Sequence, residues 1–326
     1  MPDAKLCAVY VDTGTTNSRV WLMRGDTILA KAEAHVGVRD TAKDGSAARL
    51  RSALRELIEG VRAQSEVAPV CVSAAGMITS SLGLAEVPHV AAPAGIAELA
   101  AATRSHGFPD VTDLPVLLVP GVKSGQMPCE LATVAESDLM RGEETLCAGL
   151  ILTGLAKLPA TVLNLGSHWK AIRLDGEGRI SASVTSLAGE LVYAAQTQTI
   201  LASAVPHERP ATINFDWLEA GMRQQRQTGL SRALFCVRLL EQSKQGSTEN
   251  RLSFLIGVFL ADDLDALSAR RILTDSVVIV GSGSLAEAWQ YALAQVEIQS
   301  QIISGEQSER AMLAGLRNIT SIALTN

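Results

Sequence analysis

The sequence predicts an α/β protein of two related lobes, each a mixed sheet flanked by helices, with a cleft between them. Three observations carry this. The chain has 326 residues, more than one ordinary core serves. Hydrophobic residues make up 47% and charged residues 19%, enough apolar surface to fill two cores and the opposite of a disordered balance. A hairpin pattern near the N-terminus recurs near the middle.

The first copy begins with the apolar run Leu6–Val11, ending at Asp12. Thr13-Gly14-Thr15-Thr16-Asn17-Ser18-Arg19 follows, then apolar Val20–Met23, a Gly25-Asp26 turn and a third run through Ile28, Leu29 and Ala30. This reads as three strands joined by two tight hairpins. Leu50, Leu54, Leu57, Ile58 and Val61 are spaced as on one face of a helix over 47–64. Val70–Ser73 is a short strand-like run leading into Ala74-Ala75-Gly76, and 114–120 is another. Residues 142–152 read as a helix.

The second copy runs Thr161–Leu165, Gly166-Ser167-His168-Trp169-Lys170, Ala171–Leu174, a turn at Asp175–Gly178 and a strand over 180–184. Gly14 aligns with Gly166, Thr15 with Ser167, and the Gly25 turn with the Gly176 turn. Chance likeness of two glycine-containing hairpins is the alternative. Long helices are expected over 251–267 and 285–296, a buried strand over 277–280, and a last helix over 307–319. Pro159 marks a break, so the lobes are placed at 1–158 and 159–306, with 307–326 returning to the first.

Net charge is −6, which argues against a nucleic-acid partner. Five cysteines at irregular spacing, with no CxxC pair, point to reduced thiols rather than a disulfide framework or a zinc site. The N-terminal segment lacks the pattern of a signal peptide, and no 18-residue apolar stretch occurs, so a cytoplasmic protein without membrane contact is expected. A homodimer is left open.

A hairpin tip of Gly14, Thr15, Thr16 and Asn17 presents backbone N–H groups and hydroxyls together, a concavity suited to phosphate oxygens. Two such tips could grip a polyphosphate from both sides. Asp12 at the strand end is placed to hold Mg2+ through water, or simply caps the turn. Arg19 either contacts phosphate or braces the loop by a salt bridge. Lys170 either neutralises a transferring phosphoryl group or is a solvated surface lysine. His168 is a phosphate contact or a self-bonded loop residue. Gly281, Ser282 and Gly283, after the strand at 277–280, resemble the adenosine-side turn of the actin/hexokinase-like superfamily or form an ordinary strand-to-helix turn. No Walker GxxxxGK[ST] occurs. Glu143 and Glu144 open a helix; they serve its dipole or supply the base that takes a hydroxyl proton, Glu143 first and Glu144 second. Arg141 could hold a substrate carboxylate.

These residues resemble the 2-dehydro-3-deoxygalactonokinases along nearly the whole chain. VDTGTTNSRVW is similar to the family's first phosphate motif and LMRGEETLCAG (139–149) to its Met-Arg-Gly-Glu-Glu-Thr motif. AAGMITSSLGLAEVPHVAAPAG (74–95), GSHWK (166–170) and LAGEL (187–191) are similar to further segments. Thr79, Leu84 and His89 stand where the family usually has Gly, Trp and Tyr. Ala188 replaces a Thr, and Trp169 a smaller residue. The resemblance implies two ribonuclease H-like lobes of actin/hexokinase type, ATP and Mg2+. It implies phosphorylation of 2-dehydro-3-deoxy-D-galactonate at the 6-hydroxyl, with Met77 and Glu86 on the substrate side. A related 2-keto-3-deoxy sugar acid, or a non-catalytic nucleotide- or sugar-binding sensor on the same fold, are the alternatives.

Overall fold

A computed structural model of the chain describes residues 6–166 and 168–325. The chain divides into two units: Met1–Leu155 with Gly178–Ser181 and Glu309–Asn326, and Ala156–Glu177 with Ala182–Ser308. Residues 178–181 join the first unit because Ala94 and Ile180 exchange backbone hydrogen bonds of 3.0 and 2.8 Å.

The first unit opens with three antiparallel strands, β1 (Cys7–Thr13), β2 (Ser18–Arg24) and β3 (Thr27–Ala34). Both strands of the first hairpin run further toward its tip than the apolar pattern indicates, so Asp12 and Arg19 face each other across the ladder. Helices α1 (Val38–Asp44) and α2 (Ala48–Arg62) follow. Leu50, Leu54, Ile58 and Val61 of α2 are buried against Val9, Val11, Leu22 and Val72. Burying each such side chain is worth ~1.5–3 kcal/mol, and this face rather than helix propensity holds α2 in place.

Then come β4 (Val72–Gly76), β5 (Val90–Ala91), α3 (Ile96–Ala102), β6 (Arg104–His106), β7 (Val116–Leu118), β8 (Val122–Ser124), β9 (Asp138–Met140) and α4 (Glu143–Leu152). The main sheet runs β3-β2-β1-β4-β7-β6, with β1, β4 and β7 parallel. β5, β8 and β9 form a small separate sheet, which the sequence pattern does not announce because its strands have only two or three residues each.

The second unit repeats the plan. Its elements are β10 (Ala160–Leu165), β11 (Trp169–Leu174), β12 (Ile180–Ser186), α5 (Ala188–Gln198), α6 (Phe215–Thr228), α7 (Leu230–Gln242), α8 (Thr248–Ala269), β13 (Ser276–Val280), α9 (Ser284–Ala294) and β14 (Gln299–Ile303). The sheet order β12-β11-β10-β13-β14 reproduces β3-β2-β1-β4-β7 position for position. The pairings match too: β10 is antiparallel to β11 and parallel to β13, as β1 is to β2 and β4. A shared strand order with shared pairing senses is not what chance likeness of two hairpins would produce. The core gathers around α8, whose Leu252, Leu255, Ile256, Val258, Phe259 and Leu260 are all buried.

Helix α10 (Gly305–Ala323) ends the chain, and its residues from Glu309 onward pack in the first unit. Glu309 accepts hydrogen bonds from Trp21 Nε1 at 2.7 Å and Lys31 Nζ at 2.8 Å. α10 also crosses α4 at backbone contact. A Cβ on Gly149 would lie 1.5 Å from the Ala311 carbonyl oxygen, and one on Gly315 would lie 1.9 Å from that of Thr145. This crossing anchors α4, whose first turn carries Glu143 and Glu144.

Candidate active site

At the first hairpin the Gly14 N–H donates to the Asn17 carbonyl at 2.9 Å and closes the tip. Thr15, Thr16 and Asn17 are exposed. The carbonyls of Gly14 and Thr15 accept from the amides of Val38 and Arg39 at 3.2 and 2.9 Å, so the start of α1 braces the tip from behind. Asp12 and Arg19 form an ion pair of 2.5 Å, with side chains 18% and 43% exposed. The bracing role foreseen for Arg19 is thus occupied. Asp12, Gly14, Thr16, Asn17, Arg19, Glu33, Ala34 and His35 line a cleft of about 640 Å³.

A magnesium ion bound in this cleft would need little from the protein. It keeps several waters and takes one or two carboxylates plus substrate phosphates. Asp12, partly exposed at the strand end beside the cleft, fits that demand. Among the described residues no group of three or more His, Cys, Asp and Glu could hold a metal, so any ion here depends on such shared coordination.

The parallel pairing of β1 with β4 sets Thr13 opposite Gly76. A Cβ on Gly76 would stand 2.7 Å from the Thr13 carbonyl oxygen and 3.1 Å from Asp12 Oδ1. Gly142, at φ +107°, caps α4; a Cβ there would lie 3.4 Å from Gly76 Cα. Only glycine adopts that backbone without strain. Asp12, Gly76, Gly142 and the first turn of α4 are therefore contiguous at the carboxyl ends of β1 and β4.

The two glutamates of that turn part company. Glu144 is 1% exposed, and both its oxygens accept from the Gly142 N–H at 2.8 Å. Burial, then the charge of Glu143, pushes its pKa up to about 8. Glu143 is half-buried. Arg141, also half-buried, donates from Nη1 to Thr79 Oγ1 at 2.7 Å and from Nη2 to the Val87 carbonyl at 2.8 Å. His89 Nδ1 lies 3.4 Å from the same Nη2. Burial lowers the Arg141 pKa, and the Glu144 and Glu86 carboxylates oppose this. Glu86 itself is exposed, whereas Met77 is half-buried against the core of the first unit.

In the second unit β11 begins at Trp169, so the tip is shorter than the Gly166–Lys170 segment read from sequence. Lys170 lies within the strand opposite Asn164 and is only 6% exposed, which removes the solvated-surface reading. Trp169 is buried edge-on against Trp289, ring centroids 5.6 Å apart. His168 Nε2 pairs with Glu190 Oε1 at 3.0 Å, joining GSHWK to LAGEL rather than to its own backbone. Ser167 lies outside the described residues. β10 and β13 are parallel, and a Cβ on Gly281 would stand 3.0 Å from Leu165 Cβ. Gly166 and Gly281 thus share one end of this sheet. Ser282 is exposed, and Gly283, at φ +73°, caps α9. Extending the alignment of Gly14 with Gly166, Gly281 is the counterpart of Gly76. Sequence reading missed that equivalence; the signal available was that each glycine ends a short apolar run of small or β-branched residues.

The profile of the 2-keto-3-deoxy-galactonokinase family matches residues 12–319. The chain belongs to that family. Its fold is correspondingly the α/β fold of actin/hexokinase-like ATPases and kinases. A Rhizobium meliloti protein assigned as a 2-dehydro-3-deoxygalactonokinase is 28% identical over 312 residues, 93% of this chain and 94% of the relative. The Escherichia coli 2-dehydro-3-deoxygalactonokinase is 24% identical over 316 residues, 95% and 96% of the two chains. A crystal structure of a Sinorhizobium meliloti protein assigned the same activity superposes with a TM-score of 0.75 at 25% identity, covering 95% and 96%. As a member of the 2-keto-3-deoxy-galactonokinase family, the chain is an ATP-dependent sugar kinase, a phosphotransferase with an alcohol acceptor. No helix among the described residues is long and apolar enough to cross a membrane. Thr79 and His89 meet at Arg141.

Proposed function

We propose that the chain transfers the γ-phosphate of ATP to the 6-hydroxyl of 2-dehydro-3-deoxy-D-galactonate, within the cytoplasm, and that Mg2+ assists. The supporting observation is the contiguity of Asp12, Gly76, Gly142 and the Arg141–Glu144 turn in the first unit. Phosphoryl transfer asks little covalent chemistry of a protein and much positioning and charge stabilisation. In that arrangement the Gly14–Asn17 hairpin tip, which this reading gives to phosphate, lies near a carboxylate and a guanidinium.

In this reading the exposed amides and hydroxyls of Thr15, Thr16 and Asn17 bind phosphate oxygens, and Gly14 keeps the tip open to them. Bound magnesium, held by Asp12 through water, would neutralise charge on the phosphates. Arg19 keeps Asp12 in place. Glu143 takes the proton of the acceptor hydroxyl, since Glu144 is committed to the Gly142 amide. Arg141 pairs with the sugar-acid carboxylate, with Met77 and Glu86 shaping the acceptor side. In the second unit Gly166, Ser167, His168 and Lys170 serve ATP phosphates, and Gly281, Ser282 and Gly283 the adenosine.

The test is a coupled ADP-release assay with Mg2+ and a panel of 2-keto-3-deoxy sugar acids. Highest kcat/KM with the galactonate derivative supports the proposal. Preference for a stereoisomer would move the substrate within the class. ATP binding without turnover on any member would replace the kinase by a sensor.

A further inference from the structure

The guanidinium of Arg141 is gripped before any substrate arrives. Its Nη1 donates to Thr79 and its Nη2 to the Val87 carbonyl, at 2.7 and 2.8 Å, while His89 Nδ1 stands 3.4 Å away. Thr79 is 0% exposed, and its own hydroxyl donates to the Gly76 carbonyl at 3.0 Å. A hydroxyl carries one hydrogen and two lone pairs. With the hydrogen given to Gly76, Thr79 can only accept from Arg141, so the chain Arg141 to Thr79 to Gly76 has one direction. Gly121 makes space for the arrangement: a Cβ there would lie 2.7 Å from Arg141 Cγ and 2.8 Å from His89 Cδ2.

The far end of this chain matters because Gly76 abuts Asp12 and Gly142. One buried hydroxyl therefore ties the guanidinium of Arg141 to the Gly76 backbone that lies against Asp12 and Gly142. Arginine recognises carboxylates through a rigid planar fork, and the geometry fails if the plane swings.

We propose that Thr79 is a specificity-determining positioning residue, whose hydroxyl fixes the plane of Arg141 and thereby selects acceptors that bear a carboxylate. The proposal rests on the reading of Arg141 as the ligand of the sugar-acid carboxylate, and deepens it. Thr79 itself touches no substrate.

The experiment compares wild type, Thr79→Val, Thr79→Ser, Arg141→Met and the Val/Met double variant. Acceptors are 2-dehydro-3-deoxy-D-galactonate and its uncharged carboxamide. Valine keeps the shape and removes the hydroxyl; a hydrogen bond to a charged group is worth roughly a tenfold change. Thr79→Val should raise KM for the acid about tenfold and leave KM for the amide and for ATP in place, so the acid-over-amide preference in kcat/KM falls about tenfold. Thr79→Ser should restore it. In the Arg141→Met background the valine change should add less than about twofold.

An equal rise in KM for acid and amide, or a full effect repeated in the Arg141→Met background, would show Thr79 acting by packing alone and overturn the proposal. Normal acid KM in Arg141→Met would overturn it by removing the carboxylate assignment beneath it. A wild-type enzyme inactive on every sugar acid would instead sink the proposed function. If the valine variant does not fold, Thr79→Ala, which also lacks the hydroxyl, carries the same comparison.

Discussion

The backbone N–H of Gly142 lies 2.8 Å from each carboxylate oxygen of Glu144. This contact divides the labour of two adjacent acidic residues. Glu144 turns inward and closes the first turn of α4 on itself; Glu143 stays at the half-buried rim. Acidic residues at a helix start favour the dipole in either case, so propensity alone could not have separated them.

Replacing Glu143 by Gln keeps the shape and removes the proton acceptor. General-base catalysis contributes about 10²–10⁴-fold. Steady-state kinetics on Glu143→Gln should show kcat reduced by that order with KM for ATP within about twofold of wild type. Normal turnover would take Glu143 out of the mechanism.

Glu144 should make stability depend on pH. Its folded pKa of about 8 stands above the ordinary glutamate value of 4.5, chiefly through burial. The folded protein therefore binds this proton more tightly than the unfolded chain does. The contribution is fully present below about pH 4.5 and is lost as pH rises towards about 8. One such group gives a slope of at most about 1.4 kcal/mol per pH unit. Urea unfolding of Glu144→Gln between pH 5 and pH 8, each about a unit apart, should show a flatter decline than wild type. Asp263, raised to about 6 by burial, leaves a residual decline at the acid end in both proteins. Parallel curves for the two proteins would mean that Glu144 ionises normally.

Asp12→Asn tests the metal side. Loss of the carboxylate should raise the Mg2+ concentration for half-maximal activity and lower kcat/KM for ATP by about 100-fold. The paired Arg19→Ala removes the ion pair but leaves the carboxylate, and should have the smaller effect on the Mg2+ requirement. A titration in which the two variants shift equally would assign Asp12 to bracing the hairpin.

The crossing of α4 and α10 admits no side chain at Gly315. A methyl group there would sit 1.9 Å from the Thr145 carbonyl oxygen, so the helices must separate. Overpacking of this kind costs about 1–3 kcal/mol. Thermal unfolding of Gly315→Ala should show a lowered Tm, and activity below the transition should fall too, because α4 carries Glu143. An unchanged Tm would show that the crossing yields easily.

What could be read from the chain alone was what is local. Short apolar runs and turn residues located both hairpins, because a strand and its antiparallel neighbour are joined by only a few residues. The spacing of Leu50, Leu54, Ile58 and Val61 located α2 within two residues at each end. Short ordered motifs carried the family. The tertiary structure decided the rest: which glutamate is buried, that Lys170 lies in a strand, that Arg19 is taken by Asp12, and that Thr79 holds Arg141. Those facts depend on the parallel register that sets Thr13 beside Gly76 and on the crossing of α10 over α4. Residues far apart in sequence meet there through packing of whole elements, and no local pattern encodes which side chains such packing will bury or pair.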